Sequence, residues 1–258
     1  MHQVPFFTII TASFNSEKTI CKTIESLLNQ SFKNFEYLLI DGKSTDKTVE
    51  IIKNFEPRFK EKGITYKWIS EKDSGIYYAF NKGLNLANGN WISFLGSDDY
   101  YTENALKLYN NAIISSEKSI DLCYSKVQIV TEEKNVSVIN ETWKWSVFKK
   151  YMNIPHVGSF HNKDYFKKYG NFNETFKIAG DYELLLRANK TLKTLKVDEI
   201  TTFMSENGVS NNQVSKVFKE TFKAKQQTGK RNVLLCTIDY LIAIAKYFTK
   251  KTIHAFTR

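Results

Sequence analysis

The sequence predicts an α/β protein: a doubly wound, mostly parallel sheet with a small antiparallel addition and a C-terminal helical tail. Three observations carry this. From Phe6 to Asp99, short apolar runs alternate with segments of helical period, the pattern of βαβ units. Three of these runs end in polar loops that hold aspartate: Asp41, Asp73, and Asp98 with Asp99. After residue 206 the composition shifts to a basic, amphipathic pattern.

The elements follow in order. Phe6 to Thr11 is a first strand, with Ala12-Ser13-Phe14-Asn15 as the loop at its carboxyl end. A helix is expected from Glu17 to Asn29, since Ile20, Ile24, Leu27 and Leu28 share one helical face. A second strand, Glu36 to Ile40, ends in Asp41-Gly42-Lys43-Ser44-Thr45-Asp46, whose Ser and Thr can cap a helix bearing Val49, Ile52 and Phe55. Pro57 is placed just beyond that helix. A strand over Thr65–Ser70, the loop Glu71 to Gly75 and a helix over Ile76–Leu86 lead to Trp91-Ile92-Ser93-Phe94-Leu95. That run ends in Gly96-Ser97-Asp98-Asp99. Open α/β sheets bind ligands at the carboxyl ends of their strands, so the acidic pair sits where such a sheet keeps its chemistry. Two neighbouring carboxylates repel unless a cation or donors hold them, and such hard oxygen ligands suit Mg²⁺ or Mn²⁺ beside a diphosphate.

Beyond Asp99 a helix from Glu103 to Ser115 precedes a hairpin of Leu122–Val130 and Val136–Ile139. Trp143, Trp145, Phe148 and Tyr151 form an aromatic stretch, read as core or as a platform for an apolar or sugar-ring ligand. On a strand, the odd spacing of His156 and His161 puts them on opposite faces, which argues against a plain ligand pair. Lys163 to Tyr169 is a helix closed by Gly170. Asp181 follows a glycine where a helix bearing Leu184 and Leu185 begins; it reads as an N-capping residue, as a general base, or as both. The polar stretch 206–212 divides a catalytic domain, 1–205, from the tail, 206–258. In the tail Leu234, Ile238, Leu241, Ala245 and Phe248 share a face flanked by lysines, which fits either packing on the domain or an anionic membrane surface.

The net charge of +10 over 258 residues points to an anionic partner. Cys21, Cys123 and Cys236 are widely spaced and read as buried thiols of a reducing compartment. The N-terminus has no signal-peptide pattern and no apolar run reaches the length of a span, so a cytoplasmic protein, peripheral on the membrane's inner face at most, is expected. Neither Gly-x-Gly-x-x-Gly nor a P-loop is present, so phosphates must be met by metal and individual side chains.

Several pieces in order resemble the family 2 glycosyltransferases, which have a GT-A fold, and within them bacterial enzymes of surface-polysaccharide assembly. They are Ile9 to Asn15, Leu39 to Asp46, Glu71 to Tyr77, Asn81-Lys82-Gly83, Phe94 to Asp99, and His156 with Gly180-Asp181-Tyr182-Glu183. The resemblance covers Phe6 to Phe203 and implies roles. Ser13, Phe14, Asn15 and Asp41 would line the base and ribose of a nucleotide, and Asp73 would help hold the base. Lys82 would face the phosphates. In Ser97-Asp98-Asp99, Asp98 would touch the ribose and Asp99 would bind Mn²⁺ or Mg²⁺; His156 and His161 would lie near the diphosphate or the acceptor, His156 as a further metal ligand. Asp181 would be the catalytic base. The sequence departs from the family at Gly42 and Tyr78, where many relatives carry Asp, and it has no signature of processive synthases.

The function implied is transfer of one sugar from a nucleotide-diphosphate sugar, a UDP-sugar by expectation, to a saccharide or polyprenyl-diphosphate-linked acceptor, inverting the anomeric centre. No nucleic acid is expected as a partner. A sugar-phosphate nucleotidyltransferase would want a glycine-rich basic loop where Ala12 to Lys18 stands. A non-catalytic carbohydrate-binding module has no reason to place carboxylates at strand ends.

Overall fold

A computed structural model describes residues 4–131, 133–206, 208 and 213–256, with side chains to residue 249. Four strands, β1 (Phe7–Ser13), β2 (Phe35–Asp41), β3 (Thr65–Ser70) and β4 (Trp91–Gly96), form a parallel half-sheet in the order β3-β2-β1-β4. Residues of β1 alternate between two cores. Ile10 faces Leu38, Phe80 and Phe94, and Ile9 faces Ile24, Leu27 and Leu39. Burial on both faces explains why these strands read as unbroken apolar runs.

The sheet continues through five more described strands: β5 (Tyr100–Tyr101), β6 (Leu122–Val130), β7 (Asn135–Ile139), β8 (Phe160–Asn162) and β9 (Thr194–Ser205). Short β8 runs antiparallel between β4 and β6, and so joins the two halves of the sheet. The expected β6–β7 hairpin is present, while β9 pairs with β6 in parallel across a long separation in sequence.

The helices that pack on the sheet are α1 (Ile20–Leu28), α2 (Thr48–Asn54), α3 (Glu56–Glu61), α4 (Ile76–Leu86), α5 (Ala105–Ile114), α6 (Trp145–Phe148), α7 (Lys163–Tyr169) and α8 (Gly180–Leu186). Two tail helices follow, α9 (Val214–Gln227) and α10 (Val233–Phe256). Pro57 lies just beyond α2, as expected, and there opens the first turn of a further short helix, α3. A first turn tolerates proline because its N–H has no intrahelical partner to lose. Of the aromatic stretch, Phe148 is core, Trp143 and Trp145 pack partly buried against it, and Tyr151 is exposed. Cys123 and Cys236 are buried as expected. Cys21 is exposed on α1, because it points away from the face that Ile20 and Ile24 bury.

Candidate active site

The carboxyl ends of β1, β2 and β4 lie side by side, since Ser13 pairs with Asp41 and Ala12 with Gly96 in the sheet register. At the end of β2, Asp41 is fully buried and accepts four hydrogen bonds. Ser13 Oγ (3.0 Å) and Ser44 Oγ (2.5 Å) donate to Oδ1; Ser70 Oγ (2.6 Å) and Ser44 N (2.9 Å) donate to Oδ2. These bonds tie three loops together. Asn15, held at a φ of 48°, accepts from Thr45 N at 2.9 Å and donates its own N–H to Ser44 Oγ at 2.8 Å. Phe14 beside it is 62% exposed, an aromatic side chain with an open ring at the strand edge.

Gly42, the departure from the family pattern, has a local explanation. A Cβ there would lie 2.9 Å from Asp73 Oδ2. The Asp73 carboxylate occupies the space a side chain at 42 would need, and its Oδ1 accepts from Gly75 N at 2.9 Å. Lys82 pairs with Glu71 and stands 4.9 Å above the ring of Tyr78, the other departure. Its ammonium therefore has a cation–π partner in Tyr78.

At the end of β4, Ser97 and Ser16 share a 2.8 Å hydroxyl contact that links the β4 and β1 loops. Asp98 and Asp99 fold back together over Gly96. Ser205 at the end of β9 serves both: its N–H donates to Asp99 Oδ1 at 2.9 Å and its hydroxyl to Asp98. Even with the backbone N–H groups of Gly96 and Asp98, that is thin compensation for a buried Asp99 beside a half-buried Asp98. Burial, then repulsion from Asp98, pushes Asp99 up to about 7, and burial raises Asp98 as well. A divalent cation is the group whose charge relieves both effects, so the chemistry of this donor set fits one. Among the described residues no group of three or more His, Cys, Asp or Glu could hold a metal ion. Substrate oxygens or water would have to complete the coordination.

Asp181 lies at the second position of α8, two residues past the cap; Ala179 holds the N-cap position without a side-chain bond. Its support comes from afar. Tyr77 Oη, buried on α4, donates to Ile178 O at 2.5 Å and accepts from Gly180 N at 2.8 Å and Asp181 N at 3.3 Å. Glu220 of α9 accepts from the N–H groups of Lys177, Ile178 and Ala179 at 2.8–3.0 Å. Together these two side chains satisfy five successive N–H groups around the start of α8, donors that a helix N-terminus leaves orphaned. A Cβ on Gly180 would lie 2.6 Å from the Tyr77 ring. The glycine thus admits that ring. Asp181 Oδ1 accepts from Tyr182 N at 2.7 Å and lies 3.3 Å from Tyr77 Oη. Burial, with the nearby Asp181 charge, holds the Tyr77 hydroxyl well above its usual range, so it remains protonated.

His156 and His161 are not both on a strand. A turn through Gly158 separates them and brings Nε2 of one to 3.1 Å from Nε2 of the other. His156 stacks on Phe94 at 5.6 Å. Burial lowers both imidazoles, a shift that the Asp181 charge opposes at His156 and that the His156 ring deepens at His161. Neutral rings suit this contact, one nitrogen donating and the other accepting. As a metal ligand through Nε2, His156 would have to give that contact up.

The structure therefore joins Ser13 to Asp41, Asp98 to Asp99, and His156 to the surroundings of Asp181. Sequence reasoning missed Tyr77, Ser205 and Glu220 as partners of these acids. Tyr77 stands inside a quoted motif and was within reach; nothing around Ser205 or Glu220 in the sequence marks them.

The mostly parallel sheet and its helices have the GT-A fold. Residues 8–179 match the model of glycosyl transferase family 2, and the chain belongs to that family. A PGL/p-HBAD biosynthesis glycosyltransferase of Mycobacterium bovis (strain BCG / Pasteur 1173P2) is 27% identical over 265 residues, covering 98% of both chains. Among solved structures, S. aureus TarS residues 1–349 in complex with UDP-GlcNAc superposes with a TM-score of 0.68 over 94% of this chain and 72% of that one, at 19% identity. A longer TarS chain is covered over 41% of its length. A mannosyltransferase from Pyrobaculum calidifontis in complex with GDP-Man and Mn²⁺ gives 0.64 over 96% and 76%, at 11% identity. At such identities the two structures speak for the fold alone. Family membership sets aside the nucleotidyltransferase and binding-module readings.

Proposed function

We propose that the protein transfers one sugar from a UDP-sugar to a hydroxyl of a saccharide or lipid-linked acceptor in bacterial surface-glycan synthesis, with inversion and with a divalent metal. The observation that carries this is the under-compensated Asp98–Asp99 pair at the end of β4, with Asp99 buried and Asp98 half-buried. Asp99 would hold Mn²⁺ or Mg²⁺, and Asp98 would meet the donor's ribose. The metal, when bound, would stabilise charge developing on the diphosphate leaving group. The uridine would lie against Phe14 and Asn15, within the frame that Ser13, Asp41 and Asp73 brace. Lys82, released from Glu71, would answer the phosphates, and His156 would stand near them. Asp181 would take the acceptor's proton during attack, held in place by Tyr77 and Glu220. Inversion follows from a single displacement with one base. The free thiols, Cys21 among them, suit the cytoplasm.

The test is donor hydrolysis and transfer with UDP- and GDP-sugars, in Mn²⁺, in Mg²⁺ and in chelator, using a lipid-diphosphate sugar acceptor. Turnover of a UDP-sugar that chelator abolishes and Mn²⁺ restores is expected. Full turnover in chelator overturns the metal assignment, and a preference for a GDP-sugar overturns the donor.

A further inference from the structure

We infer that α10 is an interfacial helix that lays its outer face on an anionic lipid bilayer. An α-helix turns about 100° per residue. Leu234, Ile238, Leu241 and Ala245 therefore form one stripe, and Cys236, Tyr240, Ala243 and Tyr247 the opposite one. The inner stripe is already occupied. Cys236 is buried, and the rings of Tyr240 and Tyr247 meet Phe218 of α9 edge-on at 6.0 and 6.2 Å. The outer stripe covers nothing: Leu234 is 69% exposed, Leu241 59%, and Ile238 44%, with Ile242 alongside at 49%. A helix that only packed on the domain would need one apolar face, and this one has two.

The charge arrangement selects the occupant. Asp239 is the only acidic residue from 233 to 258 in the sequence. It is turned inward, accepting from Arg231 Nε at 2.7 Å and Nη2 at 3.0 Å, with Lys225 Nζ at 3.4 Å. Its charge is spent inside the tail. Lys246 is exposed on the flank of the helix, about a third of a turn from the stripe, Lys230 is exposed just before the helix starts, and the sequence adds Lys250 and Lys251 further round. The helix thus offers an exposed apolar stripe, cations on its flanks and beyond, and no carboxylate other than the neutralised Asp239. A second copy docked through this stripe would set like-charged rims against each other, whereas anionic headgroups neutralise them. Crossing the bilayer is excluded for the described helices, none of which is long and apolar enough. Lying in the interface is what remains for such a face.

This inference does not rest on the donor or the chemistry proposed above. Its test is co-sedimentation of the full chain with vesicles of phosphatidylglycerol and phosphatidylcholine, or of phosphatidylcholine alone, at low and high salt. Binding to the anionic vesicles should exceed binding to neutral ones by on the order of tenfold and weaken with salt. Leu234→Glu with Leu241→Glu alters exposed positions, so the thermal melt should stay put while vesicle binding drops by on the order of tenfold or more. Lys246→Glu keeps the stripe and should reduce only the preference for anionic lipid. Three results overturn the inference: wild-type protein left in the supernatant at low salt, equal binding by the double variant, or a wild-type dimer that the double variant makes monomeric.

Discussion

The edge where β2 and β4 end and the junction that presents Asp181 handle carboxylates in opposite ways. Asp41 is saturated by four donors, three of them serine hydroxyls, and acts as a brace. One strand away, across β1, Asp98 and Asp99 share Ser205 and repel each other. Asp181 is different again: its own bonds are few, and the backbone beneath it is what the protein secures, through Tyr77 and Glu220. The lesson is that burial alone does not mark a working acid. What distinguishes them is whether donors satisfy the carboxylate itself, leave it short, or fix only its mount.

The sharpest way to break this contrast is Asp181→Asn. The amide keeps the size but cannot take a proton, so transfer should fall by on the order of 10²-fold or more. Donor affinity, read by calorimetry with UDP, should hold. An active Asp181→Asn enzyme would move the base elsewhere.

Asp99→Asn should cost comparable activity and reveal the strain of the acidic pair. Folded Asp99 has its pKa raised to about 7 from an ordinary 3.8. In metal-free protein its contribution is therefore favourable below about pH 4 and is lost as pH rises through 7. The variant lacks that loss, so at pH 8 it should melt higher than metal-free wild type, by roughly 1–3 kcal/mol in stability. A lower melt together with intact Mn²⁺ dependence would refute the assignment.

Glu183→Gln probes the neighbouring acid, which is structural. Glu183 is buried, pairs with Arg187 at 2.5 Å and accepts from Thr228 Oγ1 at 2.7 Å. Removing one partner of such a pair should cost about 2–3 kcal/mol, measured by denaturant unfolding. Turnover per folded molecule should stay near wild type, and a dead but stably folded variant would exchange the roles of the two acids.

The smallest effect sharpens the comparison most. Glu220→Gln keeps an acceptor for the three N–H groups but weakens it, so kcat should drop by about tenfold, or roughly 1.4 kcal/mol, with the donor KM unchanged. Glu220→Asp should recover less than wild type if reach matters. A rise in donor KM instead would mean that Glu220 supports the nucleotide side.

Much of the fold was legible because its signals are local. Apolar periods of two and of 3.6 residues identified the parallel strands and their helices, and Thr65–Ser70, Ile76–Leu86, Leu122–Val130 and Lys163–Tyr169 match their expected bounds. The aspartates at strand ends were readable for the same reason, since each lies at the end of its strand or within three residues of it. The two histidines were misjudged because their relation depends on a turn at Gly158 that strand periodicity does not contain.

By itself, then, the sequence determined the alternating sheet, the edge that carries the carboxylates and the family of the chain. Those follow from patterns within a few residues of each other. Only the tertiary structure decided which acids are satisfied and which are left short. That outcome depends on a donor brought from Ser205, 106 residues beyond Asp99, and on an acceptor, Tyr77 Oη, 104 residues before Asp181. A hydrogen bond forms over about 3 Å, and no periodicity in a chain encodes which distant backbone will come that close.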